Sequence, residues 1–289
     1  MLTASVGRRH AIKALTVSLA MLSLARRAVA TEEIVFGLTP VLLTHDLDLL
    51  ASLQAYLERA TGFPVRLLQR RTYQEITALL LSGQLTAAWI CGYPYVANRS
   101  HLSLLAVPIW QGQPLYRSYI IVGKSRKVET PWELKGDIHA FSDPDSNSGY
   151  LVTCDLLAQR GLRPNGFFRR SFFTYSHRNV VRAVASGLAE SGSVDGYVWE
   201  VLNDLEQPLT SATRVLRKSE LLGFPPIAAL TSQLSNPTVT KLKEALVGMA
   251  PDAEGKKVLH MLHLDAFAPE EPSVFDAIAA KMENVRRLG

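Results

Sequence analysis

Cysteine is nearly absent from this chain: its 289 residues contain two, Cys91 and Cys154. Two thiols cannot frame a disulfide scaffold, and a chain of this length needs none to bury an adequate core. Net charge is also missing once the N-terminus is set apart. The formal charge of +5 is accounted for by Arg8, Arg9, Lys13, Arg26 and Arg27, since positions 1–30 hold no acid. Residues 31–289 are therefore neutral, which leaves no basic excess to neutralise the phosphates of a nucleic acid. Catalytic signatures are lacking too. There is no Gly-x-Ser-x-Gly elbow, His-Glu-x-x-His pair, Cys-x-x-Cys or Gly-x-x-x-x-Gly-Lys-Ser/Thr loop, so the expectation is a protein that is not an enzyme and carries no cofactor. Of seven histidines, His260 and His263 lie one helical turn apart with no third ligand nearby. They read as a surface pair, and no metal is expected.

What is present begins with an export signal. A basic start (Arg8, Arg9, Lys13) precedes an apolar run from Ala14 to Ala25, and Ala28-Val29-Ala30 offers small residues for a signal peptidase. The run is too short to span a bilayer permanently, and an uncleaved membrane anchor is the alternative to a cleaved signal. Arg8-Arg9 resembles a twin-arginine signal, so both export routes stay open, and the expected location is the periplasm. After residue 30, strand-like and helix-like segments alternate. Ile34–Leu38, Pro64–Leu68 and Thr86–Cys91 read as strands separated by helices over Leu47–Ala60 and Thr72–Ser82. A second series follows, with strands at Tyr119–Val122, Ile138–Phe141, Ser171–Tyr175 and Val194–Val198 and helices at Tyr150–Arg160 and Val180–Ser186. The chain then crosses back near Gly223–Leu230 and ends in helices over Pro237–Met249, Ala253–Leu262 and Ser273–Arg287. Two α/β units joined by two crossings form a hinge, with a ligand between lobes at the carboxyl ends of strands. The expected division is a signal at 1–30, one lobe from 31–115 plus 226–289, and a second from 116–225.

The segment Asp143-Pro144-Asp145-Ser146-Asn147-Ser148-Gly149-Tyr150 leaves one strand and opens a helix. Ser146 or Ser148 can cap that helix. The free amides of its first turn, its dipole and two hydroxyls suit a compact anion. Asp143 and Asp145, two apart beside a proline, read as turn formers rather than a catalytic pair.

This octet resembles the Asp-Pro-x-Ser-x-Ser-Gly-Tyr segment of the phosphate/phosphonate/phosphite-binding periplasmic proteins of ABC transporters. Tyr73, Gly83, Ala88-Trp89, Gly92, Tyr95, Tyr116-Arg117-Ser118, Ser176-His177, Ala183-Val184, Gly187 and Val194-Asp195 fall in the family's order. The resemblance implies a type II periplasmic-binding-protein fold, two doubly wound α/β lobes on a two-strand hinge, monomeric, capturing a small oxyanion for a membrane permease. It further implies that Ser146, Asn147 and Ser148 bind the anion, that Tyr73 donates its phenol from the opposite lobe and that His177 reaches the cleft. Two departures bear on the ligand. Thr86 stands near where the family often has an Asp, and Gly223-Phe224-Pro225 lacks the acid that would hold a ligand amine, which favours a simple anion over an aminoalkyl phosphonate. Cys91, with Tyr93 in the following loop, keeps a second reading open. Similar proteins sense arsenite through a cysteine in this region and signal to a membrane histidine kinase. Cys154, about 9 Å along its helix from Ser148, is a poor second thiol. Cys91 as a packed small hydrophobe and an enzyme of the same fold are the remaining alternatives.

Overall fold

The computed structural model describes residues 32–39 and 47–288. The export signal expected within residues 1–30 lies outside the described residues. Among those described, no helix is long and apolar enough to cross a membrane.

The first sheet grows from β1 (Ile34–Leu38), whose IVFGL sequence is almost wholly buried. A helix, α1 (Leu47–Thr61), follows with Leu49, Leu53, Tyr56 and Leu57 on its buried face, the three- and four-residue spacing of one helical stripe. Next come β2 (Val65–Gln69), α2 (Tyr73–Leu81) and β3 (Ala87–Trp89). Helix α2 starts cleanly because Thr72 and Glu75 form a capping box, each satisfying the other's free amide. The short α3 (Gly92–Ala97) leads to β4 (Leu102–Ile109).

The first crossing is β5 (Leu115–Tyr116), and it feeds the second sheet through β6 (Ser118–Gly123) and β7 (Ile138–Phe141). Helix α4 (Val152–Ala158), α5 (Pro164–Phe167), β8 (Arg170–Phe173), α6 (His177–Ala185) and β9 (Ser191–Asp195) follow. Then come α7 (Gly196–Leu205), α8 (Gln207–Thr210) and β10 (Thr213–Lys218). The chain returns through β11 (Leu222–Gly223) to β12 (Ile227–Leu230). It closes with α9 (Pro237–Val247), α10 (Ala253–Met261), β13 (Ala266–Ala268) and α11 (Asp276–Arg287).

The first sheet runs β13-β4-β12-β3-β1-β2 and the second β10-β6-β9-β7-β8, with β11 and β5 paired as a separate two-stranded ribbon. In the first sheet β1, β2 and β3 are parallel and β12 is antiparallel to its neighbours. In the second, β7, β8 and β9 are parallel. Leu222 pairs with Tyr116 and Gly223 with Leu115, so both crossings lie side by side. Phe224 seals this ribbon, fully buried with its ring centroid 5.5 Å from Tyr116 and 5.1 Å from Tyr197.

The sequence reading missed three strands. β4 ends in Pro108-Ile109, and a proline is rare inside a paired strand because it lacks an amide to donate. The Pro is tolerated because that end of β4 pairs with the three-residue edge strand β13. β10 and β13 carry too little apolar patterning to be picked out. Two boundaries also move. The strand expected over Val194–Val198 ends at Asp195, which caps α7 through its side chain. The helix expected from Val180 begins three residues earlier, at His177.

Candidate functional site

Three strands lead into the site: β3 of the first sheet runs to Cys91, while β7 and β9, parallel neighbours in the second, run to the Asp143–Ser148 loop and to Asp195. Carboxyl ends of parallel strands are where open α/β sheets place ligands, because the following loops and helix starts present free amides there. Here the loops of the two sheets face each other.

The Ser-Asn-Ser-Gly turn is the centre of the arrangement. Asn147–Leu151 forms one π-helical turn running straight into α4, where a plain α-helix was expected. Ser146 caps it, its Oγ accepting from the Gly149 amide at 3.0 Å. Gly149 is required on packing grounds. A Cβ there would lie 1.8 Å from Ser142 Oγ and 3.0 Å from the His177 ring, so only glycine lets the turn approach β7 this closely. Ser146, Asn147 and Ser148 are all 0 % exposed. What covers them comes partly from their own lobe and partly from across the cleft.

From across the cleft, Cys91 Sγ accepts the Asn147 amide at 3.2 Å. At the crossing, Tyr116 OH accepts from Asn147 Nδ2 at 2.9 Å. The Tyr73 backbone amide donates to Asp143 Oδ2 at 3.2 Å, and Tyr73 OH meets His177 Nε2 at 3.1 Å. From the turn's own lobe, Ser118 Oγ donates to the Ser148 carbonyl at 2.6 Å, while Ser148 Oγ donates to Asp195 Oδ2 at 3.3 Å.

The tautomer of His177 follows from one neighbour. The Asp195 backbone amide donates to His177 Nδ1 at 3.1 Å, and an amide can only donate, so Nδ1 is unprotonated. The ring is neutral, as burial pushes its pKa down to about 3, and its proton therefore sits on Nε2. That N–H points at Tyr73 OH, which accepts it and keeps its own phenolic proton to give. Two donors thus converge from opposite sides of the cleft.

Electrostatically the site is made of neutral donors around two buried acids, Asp143 and Asp195. Burial raises Tyr73 and Tyr116 well above the ordinary phenol range. It also pushes the Cys91 thiol up to about 12, so the sulfur is an uncharged S–H. Asp195 is 1 % exposed, and burial lifts its carboxyl to about 7. Among the described residues it has no ion-pair partner.

Of the residues singled out from sequence, Tyr73, Cys91, Ser146, Asn147, Ser148 and His177 are brought together. Tyr93 is not. Its half-buried side chain lines a separate groove with Val96, Leu151 and Met282, although its amide supports the Cys91 sulfur. Tyr116 and Asp195 belong to the cluster but went unrecognised as site residues. Both were read as strand residues, and no local pattern says that a strand's last side chain faces a cleft. Cys91 and Cys154 are both buried and free. Cys154 is engaged with Tyr150, not with Cys91. Among the described residues no cluster of His, Cys, Asp and Glu could hold a metal ion.

The two α/β sheets, the paired crossings and the facing loops define a two-lobed periplasmic binding protein. The sequence places the chain within that class: residues 36–275 match the family described as the periplasmic substrate-binding protein of phosphonate ABC transporters, and the chain belongs to it. The fold is similar to that of a binding protein component of an ABC phosphonate transporter from Pseudomonas aeruginosa. The two share 22% identity at a TM-score of 0.80, over 89% of this chain and 88% of that one. PhnD1 from Prochlorococcus marinus, in complex with methylphosphonate, superposes with a TM-score of 0.79 at 18% identity, over 89% and 99% of the two chains. The alkanesulfonate-binding protein SsuA from Xanthomonas axonopodis pv. citri, bound to MOPS, is more distant. Its TM-score is 0.61 at 17% identity, over 89% and 93% of the chains.

Proposed function

We propose that this protein captures a small phosphonate-class anion in the cleft between its lobes and delivers it to the permease of an ABC transporter. The observation that carries this reading is the buried Ser146-Asn147-Ser148 turn of one lobe set against Tyr73 of the other, in a chain of the phosphonate family. The Asn147 amide now spends its hydrogen bond on a thiol, a weak acceptor, and His177 Nε2–H spends its bond on a phenol. An anionic phosphoryl oxygen is a far better acceptor than either. Exchanging these partners for ligand oxygens binds the anion and ties both lobes to it, so the ligand stabilises the closed arrangement. Tyr73, Ser146, Asn147, Ser148 and His177 are the ligand-binding residues in this scheme. Lobe 1 comprises residues 31–115 with 226–289, and lobe 2 residues 116–225. Residues 1–30 direct export to the periplasm, the protein acts as a monomer, and it catalyses no reaction.

The ligand is a simple anion, not an aminoalkyl phosphonate. The returning crossing offers the buried apolar ring of Phe224, and the carboxylate beside it, Glu220, is already paired with Lys281. Cys91 acts as a packed neutral thiol, which argues against arsenite sensing, since trivalent arsenic is held by thiolates and the second cysteine is engaged elsewhere.

Titration calorimetry with methylphosphonate, phosphite and inorganic phosphate tests the reading. At least one should bind. Ser148→Ala should weaken that binding by about 1–3 kcal/mol, the worth of one hydrogen bond to a charged group, and Cys91→Ser should leave it largely intact. No heat with any of the three anions, or arsenite binding that disappears in Cys91→Ser, would reverse the assignment.

A further inference from the structure

We propose that the site selects the singly protonated form of its ligand, with one proton held between an anion oxygen and the Asp195 carboxylate. The inference rests on the phosphonate reading above and deepens it by fixing the charge state that is recognised.

The donors already counted suit ionised oxygens, yet the same cluster contains acceptors with capacity to spare. Asp195 divides its two oxygens. Oδ1 accepts the Val198 amide at 3.3 Å and so caps α7, Oδ2 accepts Ser148 Oγ at 3.3 Å, and the Tyr197 amide also supports the carboxylate. The Val198 and Ser148 bonds are long, since a hydroxyl donating to an ionised carboxylate ordinarily closes to about 2.5–2.7 Å. A carboxylate offers about four lone-pair sites, so Oδ2 has room for a stronger donor. Asn147 Oδ1, on the same turn, is buried without any partner. Two under-used acceptors therefore sit among donors that suit a phosphoryl group. An acidic P–OH is the one part of a small phosphonate able to donate to them.

Charge points the same way. The titratable groups around Asp195 are Tyr73 on α2, Cys91 ahead of α3, Tyr116 on β5, His177 on α6 and Tyr197 on α7. All of them are neutral. The other buried acid of the cluster, Asp143, accepts the Tyr73 and Asp145 amides, and its charge opposes a dianion in the same sense. Among the described residues no lysine or arginine pairs with Asp195. A dianion placed beside an ionised Asp195 would meet an uncompensated like charge in a buried site, whereas one shared proton turns that repulsion into a hydrogen bond. The raised carboxyl pKa accords with this, because the carboxyl already holds a proton more tightly than an exposed acid would.

The test is a proton count. Methylphosphonate is titrated into the protein at pH 8.5 in two buffers of different ionisation heat, with wild type and Asp195→Asn compared. Asparagine keeps the capping oxygen for α7. Wild type should take up about one proton per ligand bound, and its affinity should fall about tenfold per pH unit above the point where both ligand and Asp195 are ionised. Asp195→Asn should take up well under half a proton and lose most of that slope. Uptake near zero in wild type, with binding intact, would overturn the proposal. So would equal uptake in the two proteins, since the proton would then not depend on Asp195. Should Asp195→Asn fail to fold, the wild-type count decides alone. Absence of binding at every pH would instead overturn the phosphonate reading, and this proposal with it.

Discussion

Single residues in this protein are defined by which protons they hold. His139 is fully buried in β7, with Nδ1 2.8 Å from Ser191 Oγ and Nε2 2.8 Å from Ser193 Oγ and its ring stacked on Phe168 at 4.2 Å. Burial pushes its pKa down to about 3, as it does for His177. A folded pKa below the ordinary value near 6.5 means that the unfolded chain binds the proton more readily. The stability these rings contribute is thus complete above pH 6.5 and is lost as pH falls toward 3. At pH 5 each should have lost about 2 kcal/mol relative to pH 7.5. Urea denaturation between pH 7.5 and 5 should show the decline. His139→Gln, which leaves a polar group between the two serines, should flatten it by roughly half. An identical slope in the variant would mean that His139 already titrates normally.

At the scale of elements, α11 is the piece whose position could not be foreseen. It packs on α3 and on α4, which belong to different sheets. Lys281, 7 % exposed, donates to Asp155 Oδ2 of α4 at 3.0 Å and also pairs with Glu220 beside the returning crossing. Asn284 Nδ2 adds 3.1 Å to the same carboxylate. Buried pairs of this kind add little over an apolar pair, but removing one partner strands the other. Lys281→Ala should therefore destabilise the protein by about 3–5 kcal/mol. The double variant Lys281→Met, Asp155→Leu should recover most of that loss in chemical denaturation. A double variant no more stable than Lys281→Ala would show that the lost stability comes from packing rather than from the stranded Asp155 charge. Sequence showed α11 only as the last amphipathic stretch, and nothing in its own residues announces that Lys281 points at α4.

At the scale of the whole molecule, the two sheets do not bury separate cores. One continuous apolar cluster holds Phe36, Leu57 and Leu242 from around the first sheet together with Ile121, Val181 and Leu202 from around the second, and a smaller cluster about Phe141 and Phe168 lies under the second sheet alone. A shared core couples the two halves, so unfolding should be a single transition. Ellipticity and the fluorescence of Trp89 and Trp110 on one side and Trp132 and Trp199 on the other should change together. Two separated steps would show that each lobe melts alone. The sequence by itself determined the alternation of strands and helices, the pair of crossings and the Ser-Asn-Ser-Gly turn, because each is written in local periodicity, turn chemistry or a contiguous motif. Only the tertiary structure decided that the turn is π-helical, that Cys91 is a neutral thiol, that His177 carries its proton on Nε2 and that Tyr116 and Asp195 join the site. Those properties depend on burial and on partners tens of residues away, and no local pattern encodes them.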